Sequence, residues 1–213
     1  MYNPPQFRET DPAEALALLA EIGFGTLITH GRDGLAATPV PMIHLPEDGG
    51  LGMLYGHISR GNSQWRMTDR SVEALALFIG PQGYISPSWY GTKKTGGGKV
   101  VPTWNYVAVE ARGPIRFIVD PEDLRSMVTD LTRRHEAGRS EEWAVSDAPS
   151  DYIEGQLKGI VGFALTINTL EAKRKLSQNR AAVDRAGVVA GLAAEGEHAL
   201  SRLVAAADPD NLP

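Results

Sequence analysis

The sequence predicts a small antiparallel β-barrel with helical additions. Short apolar segments are separated by turns that draw on 23 glycines and 14 prolines, a pattern typical of short strands joined by tight turns. The strand-like segments do not alternate regularly with helices, which disfavours a doubly wound parallel sheet. A chain of 213 residues, 42% of them hydrophobic, is long enough for one domain with a substantial core.

The first half of the chain supplies most of the predicted strands. A short amphipathic helix is expected to begin at Asp11-Pro12, where Asp11 can cap the helix and Pro12 fits its first turn. Apolar patterning then predicts strands over 25–30, 35–45, 51–57, 72–79, 83–90, 107–113 and 115–119. The turn 31–34 indicates a hairpin. Pro39 and Pro41 indicate that the second strand lies at an edge or carries a bulge.

The second half is more helical. Asp120-Pro121 marks a helix start, and the residues after it place apolar side chains at helical spacing. Segment 159–168 alternates apolar and small or polar residues, which predicts a half-buried strand. Two C-terminal helices are expected over 178–192 and 197–206, with a break in the first at 184–188.

Composition excludes several classes of function. The chain has no cysteine, so disulfides, thiolate chemistry and cysteine-ligated metals are excluded. The formal net charge of -5 argues against a broad electrostatic grip on nucleic acid. The five histidines show no metal-binding spacing, and we expect no built-in metal site. The absence of a secretory leader pattern or an apolar run of membrane-spanning length predicts a cytoplasmic protein.

The most informative segment is Gly56-His57-Ile58-Ser59-Arg60-Gly61-Asn62-Ser63-Gln64-Trp65. It reads as a strand end, a polar turn and a short helix, and a helix start beside an arginine suits a phosphate. In this interpretation the phosphate contacts come from Ser59, Arg60, Asn62 and Gln64, supported by His57 and Trp65. The alternative is an ordinary polar helix cap with Arg60 in solvent.

Two further segments carry candidate binding groups. Val101-Pro102-Thr103-Trp104-Asn105-Tyr106 combines aromatic rings with an amide, which suits a flat heteroaromatic ring or, alternatively, a satisfied core. The segment 170–180 carries four cations and two amides. It could bind phosphate, a partner subunit or nucleic acid, although such a run is most often a solvated face.

Five motifs in order resemble the PaiB-type family of FMN-binding negative transcriptional regulators. The resemblance runs from the first residue to about residue 192, and it rests on the segments 1–7, 56–65, 84–90, 101–106 and 175–180. It implies a mainly β protein with α additions, namely a six-stranded antiparallel Greek-key split barrel with flanking and C-terminal helices. It also implies a homodimer that holds FMN between its subunits. The expected domains are a split barrel over 1–170 and a helical extension over 171–213, packed on the barrel or on the partner.

The resemblance also suggests roles for individual residues. Related flavin split barrels hold the FMN phosphate with a Ser-Arg-Lys element after a strand; Ser59 and Arg60 match it, and Gly61 stands in the place of the lysine. The full set of expected cofactor-binding residues comprises Thr38, His57, Ser59, Arg60, Asn62, Gln64, Trp104, Asn105, Lys175, Gln178 and Arg180. Thr38, Trp104 and Asn105 would line the ring.

The sequence leaves the activity open. The first hypothesis is a flavin-binding dimer with a regulatory or redox role, in which the flavin supplies any electron chemistry. The second is a DNA-binding repressor without flavin function, for which the segment 173–180 is the main support. The third is a split barrel that binds haem, with His57 as its ligand.

Overall fold

The computed structural model describes residues 1–207, which contain ten strands and seven α-helices. The strands are β1 Arg8–Glu9, β2 Phe24–Gly31, β3 Gly34–Pro41, β4 Ile43–Leu45, β5 Met53–Ser59, β6 Ala74–Ile85, β7 Thr103–Gly113, β8 Ile115–Ile118, β9 Ile160–Thr166 and β10 Thr169–Lys175. The helices are α1 Pro12–Ile22, α2 Gln64–Met67, α3 Thr92–Thr95, α4 Pro121–Glu136, α5 Ser150–Leu157, α6 Ala182–Ala194 and α7 His198–Ala206. The predicted class, mainly β with flanking and C-terminal helices, is confirmed.

The chain divides into two compact units. Unit 1 contains residues 1–11, 79–109 and the segment from 171 onward, and unit 2 contains residues 12–78 and 110–170. The expected division at residue 170 into a barrel and a helical extension stays a prediction. Within residues 1–207, none of the helices combines the length and the apolar character that a membrane crossing requires.

In unit 2 the strands follow the orders β6-β2-β3 and β4-β5-β9-β8. Strands β2 and β3 form an antiparallel hairpin in which Leu27 pairs with Thr38 and Gly31 with Gly34. Gly34 has a φ of +98°, a value that favours glycine over residues with a Cβ. The predicted hairpin turn at 31–34 is confirmed.

The predicted strand over 35–45 is wrong as a single element. Strand β3 ends at Pro41 and pairs with β2, whereas β4 begins at Ile43 and pairs with β5. Pro41 has no N–H to continue a ladder, and the N–H of Met42 instead donates to Gly23 O at 2.8 Å. The chain therefore changes sheets at Met42, whose side chain is buried.

Helices α4 and α5 cover one face of the sheet that contains β5 and β9. Asp120 caps α4 by accepting from the N–H groups of Glu122 and Asp123, so this predicted helix start is confirmed. The buried apolar cluster beneath the helices consists of Ile43, Ile118, Leu124, Met127, Leu131, Val145, Ile153, Leu157 and Ala164. Gly162 of β9 belongs to this face, because a Cβ there would lie 2.8 Å from Met127 Cε.

In unit 1 the strands follow the order β1-β10-β7-β6. The two predicted strands over 72–79 and 83–90 are one strand, β6. Gly83 lies within it, where a Cβ would come 2.9 Å from Leu200 Cδ2, so the glycine marks close packing of α7 and not a turn. The next segment is a 3₁₀ turn, Pro87–Trp89.

The predicted break at 184–188 is wrong, because α6 runs unbroken through Gly187. A Cβ on Gly187 would overlap the carbonyl oxygen of Trp89, and one on Gly191 would overlap the Trp89 ring. The two glycines therefore create the flat surface on which Trp89 packs. At the start of the same helix, buried Asp184 accepts from the backbone N–H of Thr92 at 2.9 Å and from its hydroxyl at 2.8 Å.

This packing predicts that Gly187→Ala destabilises the protein. Alanine gains about 1 kcal/mol of helix propensity over glycine, but overpacking against Trp89 costs about 1–3 kcal/mol or more. We expect the free energy of unfolding, measured by urea denaturation, to fall by about 1–2 kcal/mol.

Gly155→Ala is the matched control, because Gly155 lies in α5 and a Cβ there has nothing within 4 Å. This variant is expected to be neutral or more stable by up to about 1 kcal/mol. Equal stabilisation by both substitutions would contradict the packing argument.

Candidate functional site

The turn that follows β5, residues Ser59–Gln64 (the β5 turn), is fixed by its own hydrogen bonds. The N–H of Arg60 donates to Gly159 O at 2.8 Å, and the N–H of Asn62 donates to Ser59 O at 3.0 Å. The N–H of Gly61 donates to the Ser59 hydroxyl at 3.2 Å. The predicted strand–turn–helix sequence is therefore present.

Three of the expected site residues meet through one buried carboxamide. Gln64 is 3% exposed; its Nε2 donates to Thr29 Oγ1 at 3.1 Å and its Oε1 accepts from the Thr38 hydroxyl. Asn62 Nδ2 donates to Thr38 Oγ1 at 2.9 Å. Thr38, Asn62 and Gln64 thus form one cluster, in which their polar atoms bind one another and tie the β5 turn to β2 and β3.

The helix that follows the turn is too short for the expected anion site. We predicted a short helix after the turn, and α2 has only the four residues Gln64–Met67. The first N–H of α2, on Gln64, donates to Asn62 Oδ1 at 2.9 Å. A single turn has little dipole, and its leading donor is already used, so the helix start adds little to the phosphate contacts, which stay a prediction.

Arg60 lies apart from this hydrogen-bonded cluster. Its carbonyl accepts from Trp65 Nε1 at 3.2 Å, and its side chain lines a cavity together with Leu124 and Lys158. The Nε of Arg60 is buried and has no hydrogen-bond partner among the residues that the structure describes. The β5 turn therefore does not bring Arg60 into the hydrogen bonds of Thr38 and Gln64.

His57 faces helix α4. It pairs with Gly162 across β5 and β9, and directly opposite residues of an antiparallel pair share a face, here the face beneath Met127. Burial lowers the pKa of His57, which favours the neutral imidazole. Its Nδ1 is buried without a partner within residues 1–207.

In unit 1 a second cluster forms around the segment Lys175–Arg180 (the β10 turn). Asn105 is 1% exposed and donates from Nδ2 to Ser177 Oγ at 2.9 Å. Ser177 has a φ of +66°, which is uncommon for a residue with a Cβ and marks local strain. Gln178 braces the same turn, since its Nε2 donates to Arg174 O at 2.6 Å and its Oε1 accepts from the N–H of Leu176 at 2.7 Å.

Four cations lie in or beside the β10 turn: Arg174, which pairs with Glu9 at 3.1 Å, and Lys173, Lys175 and Arg180. Lys173 is 6% exposed, and its Nζ donates to Tyr2 O at 3.0 Å. Lys175 Nζ donates to Thr103 Oγ1 at 2.6 Å, and the Arg180 guanidinium lies 4.8 Å from the centre of the Tyr90 ring.

The environment of Lys175 disfavours its positive charge. Burial lowers the pKa of Lys175, and the charges of Lys173 and Arg180 lower it further, against an opposing contribution from Tyr106. In the part of the chain that the structure describes, none of Lys173, Lys175 and Arg180 forms an ion pair with a carboxylate. The segment 170–180 is therefore not a freely solvated face, because most of its cations are buried or half-buried on β10 and the turn after it.

Trp104 stands at the surface of β7. It is 47% exposed, and its ring makes an edge-on contact with Tyr84 of β6 at 6.2 Å between centroids. Its Nε1 donates to Gln82 Oε1 at 3.1 Å. Asn105, the next residue of β7, is buried and points to the opposite face of the strand. The role of this segment in holding a flat ring stays a prediction.

Sequence reasoning missed Ser177 and Lys173. Ser177 lies inside a motif that we singled out, but serine carries no signal for a left-handed backbone. Lys173 belongs to the basic run, yet its burial follows from its strand position and its contacts with Tyr2 and Tyr106. Arg125 and Lys158, which share a cavity with Arg60, are distant in sequence and carry no motif.

Comparison with known proteins gives the chain a family. The family model described as "Putative FMN-binding domain" matches residues 1–169. The chain is also 33% identical over 189 residues to "Protease synthase and sporulation protein PAI 2" of Bacillus subtilis, an alignment that covers 89% of this chain and 87% of that protein. The β10 turn lies beyond the family-model match but within the length that the relative spans.

Solved structures support the fold at low sequence identity. The FAD and heme binding protein from Mycobacterium smegmatis aligns with a TM-score of 0.55 and 18% identity over 79% of this chain and 73% of that one. The flavocytochrome Anf3 from Azotobacter vinelandii aligns with a TM-score of 0.55 and 13% identity over 79% and 69%. The predicted split-barrel fold is thereby confirmed, and the chain belongs to the FMN-binding domain family that its first 169 residues match.

Proposed function

We propose that this chain binds FMN and that Lys175 and Arg180 hold the FMN phosphate. The observation that carries the proposal is the set of three cations around the β10 turn that have no carboxylate partner among the described residues. A phosphate monoester carries between one and two negative charges at neutral pH. Such an anion would offset the burial and the neighbouring positive charges that together lower the pKa of Lys175.

The shape of the β10 turn supports the same assignment. Strained backbone outside glycine persists where the surrounding structure enforces it, and it clusters at ligand sites. Here Asn105 enforces the conformation of Ser177, and Gln178 closes the turn onto Arg174. Asn105 would therefore act as a positioning residue, because its amide donates to Ser177 and its side chain is buried.

The flavin ring would use the aromatic surface of Trp104. Flat heteroaromatic rings bind to exposed aromatic faces with directional contacts at their edges, and Trp104 and Tyr84 provide such faces on neighbouring strands. When bound, the isoalloxazine supplies the electron chemistry, while the chain supplies binding and orientation.

We also propose a homodimer with FMN at the subunit interface. Four large apolar side chains of β6, β7 and the segment before β7 support it, because they are 44–65% exposed in the single chain: Ile79, Tyr84, Val101 and Trp104. The assignment of Thr38, Ser59, Arg60, Asn62 and Gln64 to cofactor contacts, made from the sequence, stays a prediction.

We also propose a role in gene regulation. Its support is the resemblance to negative transcriptional regulators and the similarity to a protein whose name refers to protease synthesis and sporulation. The basic segment contributes little to DNA binding, because Lys173 is buried and Arg174 is paired with Glu9 at 3.1 Å. We therefore assign the segment to a small anion in preference to a DNA backbone.

Haem is the second candidate cofactor. The favouring observation is the buried, unpartnered Nδ1 of His57, a neutral nitrogen that suits a metal ligand. The position of His57 argues against haem binding, because this side chain lies on the face of the sheet that α4 covers. An absorption spectrum of the purified protein distinguishes the two, since flavin and haem absorb in different bands.

Replacing Lys175 by methionine tests the phosphate contact. The loss of one charge-assisted contact is expected to weaken FMN by roughly 10- to 100-fold, with little change in fold. The measurement is the dissociation constant from titration of the protein with FMN, followed by flavin fluorescence. Arg32→Met is the control, because it removes the same charge from the exposed hairpin tip. Equal affinities in the two variants would remove Lys175 from the site.

The lowered pKa of Lys175 also predicts a pH dependence. FMN binding needs the charged amine, so the affinity is expected to fall as the pH rises through the lowered pKa of Lys175, at a lower pH than an ordinary lysine would allow. Lys175→Arg keeps its charge over this range, and its affinity should stay nearly constant. The same titration at each pH gives the result, and a parallel decline in both proteins would assign the effect to another group.

A further inference from the structure

The side chain of Arg60 lines a cavity in unit 2 that the proposed FMN contacts at the β10 turn do not use. The cavity has a volume of about 230 Å³. It lies between the β5 turn, the start of α4 and the end of α5, and we call it the Arg60 cavity. Its lining consists of Arg60, Val119, Pro121, Glu122, Leu124, Arg125, Glu154, Leu157 and Lys158.

The cations of this lining have no carboxylate partner among the residues that the structure describes. Within the described residues, Arg60, Arg125 and Lys158 form no ion pair, although Glu122 and Glu154 line the same cavity. The buried Nε of Arg60 also lacks a hydrogen-bond acceptor there. A buried donor without an acceptor costs free energy, and an anion would satisfy it.

The charge of the lining selects the charge of the anion. Three cations and two carboxylates line the cavity, which leaves an excess of one positive charge. A monoanion neutralises this excess, whereas a dianion would leave a negative charge facing Glu122 and Glu154. A carboxylate also matches the planar fork of an arginine, to which it can bind through two parallel hydrogen bonds.

The remaining lining is apolar. Val119, Pro121, Leu124 and Leu157 offer hydrocarbon surface to the part of a ligand behind its charged group. The volume corresponds to about seven or eight water molecules, which is enough for a chain or ring of roughly five to seven carbons.

We propose that the Arg60 cavity binds a small organic monocarboxylate with a short aliphatic or aromatic chain, with Arg60 as the contact to the carboxylate. The ligand would join α4 and α5 to the β5 turn, whose Asn62 and Gln64 belong to the cluster around Thr38. The proposal is independent of the FMN contacts at the β10 turn, which use other residues, and it competes with the phosphate contact that the sequence predicts for Arg60.

The test is isothermal titration of the purified full-length protein with hexanoate and benzoate, and with neutral hexanamide as the matched uncharged probe. We expect saturable binding of the carboxylates at one site per chain and binding of hexanamide that is weaker by roughly 10-fold or more. Arg60→Ala should weaken hexanoate by a similar factor, while Arg32→Ala, at an exposed arginine outside the cavity, should leave it unchanged.

A second variant keeps the test informative if Arg60→Ala fails to fold. Val119 lines the cavity yet is 51% exposed, so Val119→Trp can fill the space from its rim without disturbing the core. This variant should abolish hexanoate binding with Arg60 intact. Unchanged binding in both variants, or equal affinity for hexanoate and hexanamide, would overturn the proposal.

FMN serves as a competitor in the same experiment. Hexanoate affinity that is unchanged by saturating FMN supports a separate site. Displacement of hexanoate by one equivalent of FMN would overturn the proposal and would return Arg60 to the flavin site that sequence similarity predicted.

Discussion

A buried carboxamide must find its hydrogen bonds inside the protein, and this constraint shapes both polar clusters. Gln64 and Asn105 are 3% and 1% exposed, so each would incur a large desolvation cost if its amide were unpaired. Gln64 meets the constraint by tying the β5 turn to β2 and β3. Asn105 meets it by holding Ser177 in the left-handed region. Each turn is thereby held in one conformation. That conformation fixes the position of Arg60 in the β5 turn and of Lys175 and Arg180 in the β10 turn.

The constraint separates residues that build a site from residues that bind at it. Amides that already satisfy one another have few free atoms for a ligand, whereas Arg60, Lys175 and Arg180 have few partners of their own. The segment Lys175–Arg180 contains both kinds of residue. Gln178 fixes the backbone of the turn, and Lys175 and Arg180 are the cations that we expect to contact a ligand. Each unit therefore has a buried amide that fixes a turn, Gln64 in unit 2 and Asn105 in unit 1. Each also has cations near that turn that form no ion pair among the described residues.

The sequence alone was sufficient to predict the fold class and to locate most of the strands and helices. Alternating apolar residues located most strands, and the Gly31–Gly34 turn and the Asp120 cap carried their own local signals. The errors arose where tertiary packing decides. Gly83 and Gly187 look like breaks in a sequence, but they lie inside β6 and α6 because Leu200 and Trp89 need the space. The division of 35–45 into two strands follows from pairing partners that local pattern cannot reveal.

The candidate site was predictable only in part. Asn62 and Gln64, which are close in sequence, lie together in the structure, and Thr38 joins them through the register of β3. Their predicted contacts with a cofactor stay a prediction. The direction of Arg60 and the depth of Lys173 depend on helices and aromatic rings far away in sequence. Sequence similarity therefore indicated which segments belong to a flavin-binding family, but it did not indicate where their side chains lie.

The like-charged groups on β10 have a consequence for the lifetime of the protein in a cell. Without an anion, the burial of the Lys175 amine beside the charges of Lys173 and Arg180 opposes folding. A ligand that binds only the folded chain adds stability in proportion to the logarithm of its concentration. Small differences in stability change how much of a protein is degraded. The steady-state abundance of this chain would then rise and fall with the supply of the anion that it binds, so that its own turnover would act as a sensor.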